Sequence, residues 1–204
     1  MKIICIGRNY AKHAKELNNP LPTEPVFFFK PDTALLPKKM PFFIPNFSNE
    51  INYETEIVVR IDRLGKNIEE RFAHKYYSEI SLGIDFTARD IQNDCKEKGL
   101  PWEKAKAFDG SAPVGHEFIP INTFKNINEI EFQLLINGEQ RQVGNSADMI
   151  FSIDQIIAYI SQFVTLKIGD LIFTGTPEGV GKVNINDHLE GFLNNKKVLD
   201  LKIK

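Results

Sequence analysis

Three acidic residues stand out by type and spacing. Glu54 and Glu56 lie in Asn52-Tyr53-Glu54-Thr55-Glu56-Ile57-Val58-Val59, and Asp85 closes the apolar run from Ile80 to Ile84. The two glutamates are two apart among β-branched residues, so on a strand both side chains leave by one face and their oxygens can converge. Two glutamates and one aspartate make an all-oxygen set that suits Mg²⁺ or Mn²⁺ and leaves half of an octahedron for water and substrate. Zinc would call for His or Cys. Taken alone, Glu-Thr-Glu on a strand is ordinarily a solvated face. Here Tyr53 before the pair and Ile57-Val58-Val59 after it make a poor exposed edge, and buried carboxylates need a cation or a strong donor to offset desolvation. Asp85 has a second reading, as the cap of a helix that starts at Thr87.

Other groups could work beside such a cation. In Gly7-Arg8-Asn9-Tyr10-Ala11-Lys12-His13-Ala14-Lys15-Glu16, His13 and Glu16 are three apart and share a helical face. A carboxylate against one imidazole nitrogen raises the basicity of the other, which could then take a proton from water; a surface ion pair is the ordinary alternative. Arg89, Asp90 and Gln92 fall on the helix after Asp85, where they offer structural pairing and a substrate amide or plain surface polarity. Lys106 sits between Ala105 and Ala107-Phe108, which suggests partial burial near an anion, against the usual solvated lysine. Gly175-Thr176-Pro177-Glu178-Gly179-Val180-Gly181-Lys182 is not a phosphate loop, because its first glycine is misplaced and Val183 stands where Ser or Thr should be. It reads as a tight turn whose amides and Thr176 hydroxyl can hold a carboxylate.

The elements that must position these groups are mostly strands. Lys2–Ile6, Val26–Lys30, Phe42–Ile44, Ile51–Ile61, Glu79–Asp85, Ile130–Ile136, Asp170–Thr174 and Val198–Ile203 have strand character, and Asn137-Gly138 is a hairpin turn. The clearest helix starts at a Ser152 cap with Gln155 three residues on, and carries Ile153, Ile156, Ile157, Ile160 and Phe163 on one face. Shorter helices fit Tyr10–Leu17 and Thr87–Lys98. Strands without regular βαβ alternation predict a mixed sheet folded on itself with peripheral helices. At 204 residues the chain is read as one domain, 1–204. Its 25 Lys plus Arg against 27 Asp plus Glu, with no basic block, argue against nucleic acid as a partner. The short apolar start and the lack of a long apolar stretch argue against a signal peptide or membrane span and for the cytoplasm. Cys5 and Cys95 have no metal-ligand spacing and read as reduced, structural residues.

Together the segments resemble the fumarylacetoacetate hydrolase family over essentially the whole chain. The residues that carry the resemblance are Gly7-Arg8-Asn9-Tyr10 with His13 and Glu16, Phe29-Lys30-Pro31, Tyr53-Glu54-Thr55-Glu56, Asp85 through Gln92, Lys98-Gly99-Leu100-Pro101-Trp102, Met149-Ile150-Phe151-Ser152 and Thr174 through Gly181. The resemblance implies a mixed α/β, β-rich fold of the β-roll type, a homodimer, and Mg²⁺ or Mn²⁺ on Glu54, Glu56 and Asp85. It also implies that Arg8, Lys106, Gln92 and Thr176 contact substrate and that His13 with Glu16 activates water. The chain starts almost directly at Gly7-Arg8-Asn9-Tyr10, so the amino-terminal domain that many relatives carry is expected to be absent, and Asp109-Gly110-Ser111-Ala112-Pro113 has the form usual in bacterial-type members.

The function expected is that of a metal-dependent hydrolase of 3-acylpyruvates, such as acetylpyruvate or fumarylpyruvate, which expels pyruvate enolate; oxaloacetate decarboxylation gives the same enolate without a water. Rivals are an isomerase or decarboxylase of 2-oxo-dienedioates, which the His13 and Glu16 pair disfavours, and a carboxylate-binding protein without turnover.

Overall fold

Thr55–Ile61 is buried on both faces except at Arg60, as a strand in the middle of a covered sheet must be. The computed structural model that places it describes residues 1–16 and 21–204; the side chains of residues 13–15 lie outside the described set. Among the described residues the strands are β1 (Ile3–Gly7), β2 (Val26–Lys30), β3 (Ile51–Tyr53), β4 (Thr55–Ile61), β5 (Tyr77–Ile84), β6 (Thr87–Ala88), β7 (Ile119–Pro120), β8 (Glu131–Ile136), β9 (Glu139–Asn145), β10 (Leu171–Phe173), β11 (Gly181–Lys182), β12 (His188–Leu193) and β13 (Lys196–Lys202). The α-helices are α1 (Ala11–Glu16), α2 (Glu70–Ala73), α3 (Arg89–Lys98), α4 (Glu103–Lys106) and α5 (Ile153–Phe163).

They form three sheets, in the orders β2-β1-β10-β4-β5-β7, β11-β3-β6 and β13-β12-β8-β9. Every pairing is antiparallel except β1 with β10. The expected sheet-rich α/β class with few helices is what the chain adopts. Alternation along β1 and β4 explains the layers. Ile4, Ile6, Ile57, Val59 and Ile61 join Ile156, Ile157 and Ile160 of α5 in one core cluster. On the other face, Ile3, Cys5 and Val58 join Phe173 and Ala112. A further cluster, with Phe42, Ile51, Phe86, Leu134, Leu189 and Leu201, joins the two smaller sheets. Each fully buried Ile or Leu contributes about 1.5–3 kcal/mol to folding.

Local signals act as expected at two places. The Ser152 hydroxyl accepts from the Gln155 N–H while the Gln155 side chain accepts from the Ser152 N–H, a closed capping box that starts α5. Asn137 and Gly138 take φ of 55° and 82°, the positive pair that a two-residue β8–β9 hairpin requires.

Two expectations need correction. Phe42–Ile44 is not a full strand: Phe42 makes a single parallel bridge to Ile203, with the Phe42 and Ile44 N–H groups donating to the Lys202 and Lys204 carbonyls and the Lys204 N–H to the Phe42 carbonyl, so the pairing is one bridge long. Ile51–Ile61 is not one strand either. It breaks at Glu54, so β3 pairs in the three-stranded sheet and β4 in the six-stranded one.

Asn9 explains why motifs far apart in sequence occur together. Fully buried, it donates through Nδ2 to the carbonyls of Phe151 (3.0 Å) and Thr174 (2.8 Å) and accepts from the Phe151 N–H (2.8 Å). Gly175 follows in the left-handed region at φ 99°, where a Cβ would stand 2.7 Å from that of Asn9, so only glycine fits this crossing. The turn after β1, the start of α5 and the loop after β10 are thereby held as one unit at the end of the large sheet.

Candidate active site

The break at Glu54 creates the site. Parity along β4 puts Glu56 on the Val58 side, and the seam between two sheets brings Glu54 beside it. Asp85 follows β5, whose residue Gly83 pairs with Glu56, and its amide donates to the Glu54 carbonyl at 2.8 Å. Glu54, Glu56 and Asp85 are each at least 94% buried, at 6%, 1% and 1% exposure, and each offers an oxygen within 4.8 Å of the others.

Such a cluster could not stay charged without compensation. Lys106, at the end of α4, donates to Glu54 Oε2 (2.8 Å) and Asp85 Oδ2 (2.7 Å). Lys30, at the end of β2, lies 2.7 Å from Asp85 Oδ1 and donates to the Ser111 carbonyl (2.9 Å) and hydroxyl (3.0 Å). Arg89, at the start of α3, donates to Glu54 Oε1 at 2.5 Å. The Gly175 N–H donates to Glu56 Oε2 at 2.7 Å. The turn expected to hold a carboxylate therefore uses this amide for one of the protein's own.

The compensation is uneven. Among the described residues no cation contacts Glu56; burial, with Asp85 and then Glu54 beside it, pushes its pKa well above the usual carboxylate range, against Lys106 and the Gly175 N–H. Burial opposes charge on Lys106, but Asp85 and Glu54 outweigh it and hold that pKa above the usual lysine value. The donor set is all oxygen, its members converge, and the least compensated carboxylate faces the other two. These residues fit a hard divalent cation. Lys30, Lys106 and Arg89 would then act from behind as the groups that aim the ligands.

Arg8, Arg89, Gln92, Lys96, Lys106 and Thr176 line the same cleft, with Phe28 and Trp102 as an aromatic wall. Arg8 holds a positive φ of 61°, a backbone state that costs energy in a residue other than glycine and is found where a side chain must be aimed. Arg89 donates to Gln92 Oε1 at 2.6 Å. Since a guanidinium can only donate, the oxygen of Gln92 must face Arg89, and its NH₂ is turned the other way. Lys96, one turn beyond Gln92, stays exposed; burial of its ammonium and the nearness of Arg89 and Arg8 hold its pKa below the usual value.

The structure thus gathers Arg8, Gln92, Lys106, Thr176 and the three carboxylates into one cleft. Lys106 is buried, beyond the partial burial expected. The cap reading of Asp85 is set aside, because Ala88 is the N-cap of α3 and no side chain caps it. Glu16 is exposed on α1, and its carboxylate accepts from the Gly179 N–H at 3.2 Å. The side chain of His13 lies outside the described residues. Sequence reasoning gave no role to Lys30, Lys96 or Gln142. Lys30 had a signal, a charge ending the apolar run Val26-Phe27-Phe28-Phe29; Gln142, in the polar run Gln140-Arg141-Gln142, had none.

A sheet-rich α/β fold with a buried acidic triad open to one cleft defines the class of protein. Residues 2–204 match the sequence pattern described as fumarylacetoacetate (FAA) hydrolase, C-terminal, and the chain belongs to the fumarylacetoacetate hydrolase family. It is 45% identical to the mitochondrial oxaloacetate tautomerase of Rattus norvegicus over 188 residues, 92% of this chain and 85% of the relative. It is 44% identical to the mitochondrial oxaloacetate decarboxylase of Dictyostelium discoideum over 183 residues, 89% of this chain and 84% of that one. The crystal structure of fumarylpyruvate hydrolase from Pseudomonas aeruginosa in complex with Mn²⁺ and pyruvate superposes with a TM-score of 0.92 at 35% identity, covering 100% of this chain and 89% of that chain.

The raised pKa of Glu56 has a measurable sign. Above its ordinary value of 4.5 and below the folded one, the metal-free native state binds more protons than the unfolded chain, so its stability falls as pH rises. A divalent cation held by Glu56 would displace that proton, and its advantage would grow across the same window. Calorimetry with excess Mn²⁺ over a pH series that starts near the ordinary glutamate value is expected to show a rise in Tm that grows as pH increases. Equal shifts would mean that Glu56 carries no proton in the metal-free protein.

Proposed function

We propose that this protein is a divalent-metal-dependent enzyme of short 2-oxo acids, with oxaloacetate as substrate and enol–keto interconversion and loss of CO₂ as its chemistry. One observation supports this above the others: three converging buried carboxylates are surrounded by groups that can only donate, from Lys30, Lys106, Arg89 and the Gly175 N–H to the NH₂ of Gln92. An acid-rich cation site inside a ring of donors suits an anionic ligand that meets a cation through oxygen. The names of the tautomerase and decarboxylase relatives support the choice of oxaloacetate.

Glu54, Glu56 and Asp85 would hold Mg²⁺ or Mn²⁺, which supplies positive charge where the 2-oxo oxygen gains electrons. Arg8 and the Gln92 NH₂ bind and orient the adjoining carboxylate, and Thr176 donates to an oxygen of the same ligand. Lys96 at the rim suits the second carboxylate of oxaloacetate. Lys106 keeps Glu54 and Asp85 aimed. His13, steered by Glu16, takes the proton from the carbon next to the 2-oxo group and returns it. Charge that develops on oxygen in that step meets donors already in place, so the transition state gains more than the ground state.

A second reading is hydrolysis of a 3-acylpyruvate, in which His13 takes its proton from a water that attacks the distal carbonyl. The contact from Gly179 to Glu16 favours it, since it rests α1 against the loop that bears Thr176. Both readings include a cytoplasmic homodimer; among the described residues no helix is long and apolar enough to cross a membrane.

The test is a substrate panel of oxaloacetate, acetylpyruvate, fumarylpyruvate and a 2-oxo-dienedioate, with metal removed and with Mg²⁺ or Mn²⁺ restored. Metal-dependent decay of the oxaloacetate enol and release of CO₂ are expected. Turnover of the dienedioate alone, or binding without any turnover, would replace the proposal. His13→Ala is expected to remove acylpyruvate hydrolysis, where general-base help is worth about a hundred-fold or more, while metal binding persists; decarboxylation, which needs no water, should suffer less. Equal loss of both would make His13 a substrate-positioning or lid residue. Light scattering at micromolar concentration is expected to give the mass of a dimer, and a monomer would refute that part.

A further inference from the structure

Gln142 comes from β9 in the four-stranded sheet, is 1% exposed, and reaches two parts of the site at once. Its Oε1 accepts from the Thr55 N–H at 3.0 Å, between Glu54 and Glu56 in the chain. Its Nε2 donates to Thr176 Oγ1 at 2.9 Å and to the Pro177 carbonyl at 3.0 Å. A backbone amide only donates and a backbone carbonyl only accepts, so these two partners fix which end of the side-chain amide is oxygen and which is nitrogen. Thr176 Oγ1 must therefore be the acceptor from Gln142, and its own hydrogen is left to give. Among the described residues none takes that hydrogen, although Thr176 is only 3% exposed and lines the cleft. An unused donor at a buried position is costly unless a ligand takes it up.

We propose that Gln142 is a positioning residue that makes Thr176 an obligatory hydrogen-bond donor to an oxygen of the bound 2-oxo acid. The proposal rests on the reading of the cleft given above. Gln142 acts through Thr176 and does not touch the ligand. By holding the Thr55 N–H with the other end of the same amide, it also sets the distance between the substrate loop and the start of β4, where Glu54 and Glu56 flank Thr55.

The Mn²⁺-loaded protein titrated calorimetrically with pyruvate provides the test. Thr176→Val removes the donor and is expected to weaken pyruvate by about tenfold, the worth of one hydrogen bond to a charged ligand. Gln142→Glu keeps the acceptor for Thr55 but can no longer donate, so the Thr176 hydrogen turns to the new carboxylate; a similar loss is expected. The double variant Gln142→Glu/Thr176→Val should be no weaker than either single one, and Mn²⁺ affinity should hold in all three. If the two losses add, Gln142 acts by charge or by general damage and the proposal fails. It fails equally if Gln142→Glu binds pyruvate as tightly as the unaltered protein. Should Gln142→Glu not fold, Gln142→Met, which leaves the hydroxyl unfixed without adding charge, carries the same double-variant comparison. If the unaltered protein with Mn²⁺ binds no pyruvate, the functional reading falls and this proposal with it; if it binds and only the Gln142 variants behave normally, the functional reading stands alone.

Discussion

Holding three carboxylates together inside a protein is the constraint on which the rest of this structure depends. Placed within 4.8 Å of one another and out of water, Glu54, Glu56 and Asp85 would repel with an energy that no ordinary packing offsets. The chain answers by sending cations from three directions, Lys30 from a strand, Arg89 and Lys106 from two helices, and one backbone amide from a glycine turn. Each of these needs its own support. Lys30 is held by Ser111, whose hydroxyl also donates to the Lys106 backbone carbonyl at 2.9 Å, so one hydroxyl ties the Lys30 ammonium to the main chain at the end of α4. The glycine turn is held by Asn9. Much of the irregular structure near the site is thus the scaffolding of counter-charges.

The same arrangement separates two tasks. Behind the carboxylates the donors are buried, and Lys30, Lys106, Arg89 and the Gly175 N–H each hold a carboxylate oxygen, which fixes geometry. In front, the Gln92 amide is turned by Arg89 and the Thr176 hydroxyl is turned by Gln142. Neutral groups, which could have presented either a donor or an acceptor, are thereby given one polarity by partners that have only one. That polarity needs no net charge, so these two groups can favour an oxygen-rich ligand without adding to the cations already at the cleft.

The acidic triad was legible in the sequence because carboxylates flanked by β-branched residues are a contradiction that only burial with a partner resolves. Arg8, Gln92 and Thr176 reached the same cleft from segments that carry the family resemblance, and Lys106, outside those segments but implied by the resemblance, joined them. The geometry that brought Glu54 beside Glu56 was not legible: spacing of two predicted one continuous strand, whereas the chain changes sheets between them. Strand periodicity describes a face and carries no information about which sheet a residue joins. In β12, Leu189, Gly191 and Leu193 alternate inward as a strand should, but the glycine hides the period. Gln142 could not have been found, because its two partners are 87 and 34 residues away and nothing in its neighbourhood hints at either.

The switch between sheets at Glu54 bears on how the molecule assembles itself. The site draws on positions from Arg8 to Thr176, and its acidic half exists only where one sheet meets another. Contacts of such long sequence separation close late, after the entropy of the intervening loops has been overcome. A partly folded chain therefore presents scattered acids with no more affinity for a divalent ion than any acidic peptide. An ion bound there would secure the finished architecture, but it would have no means of guiding the search that leads to it.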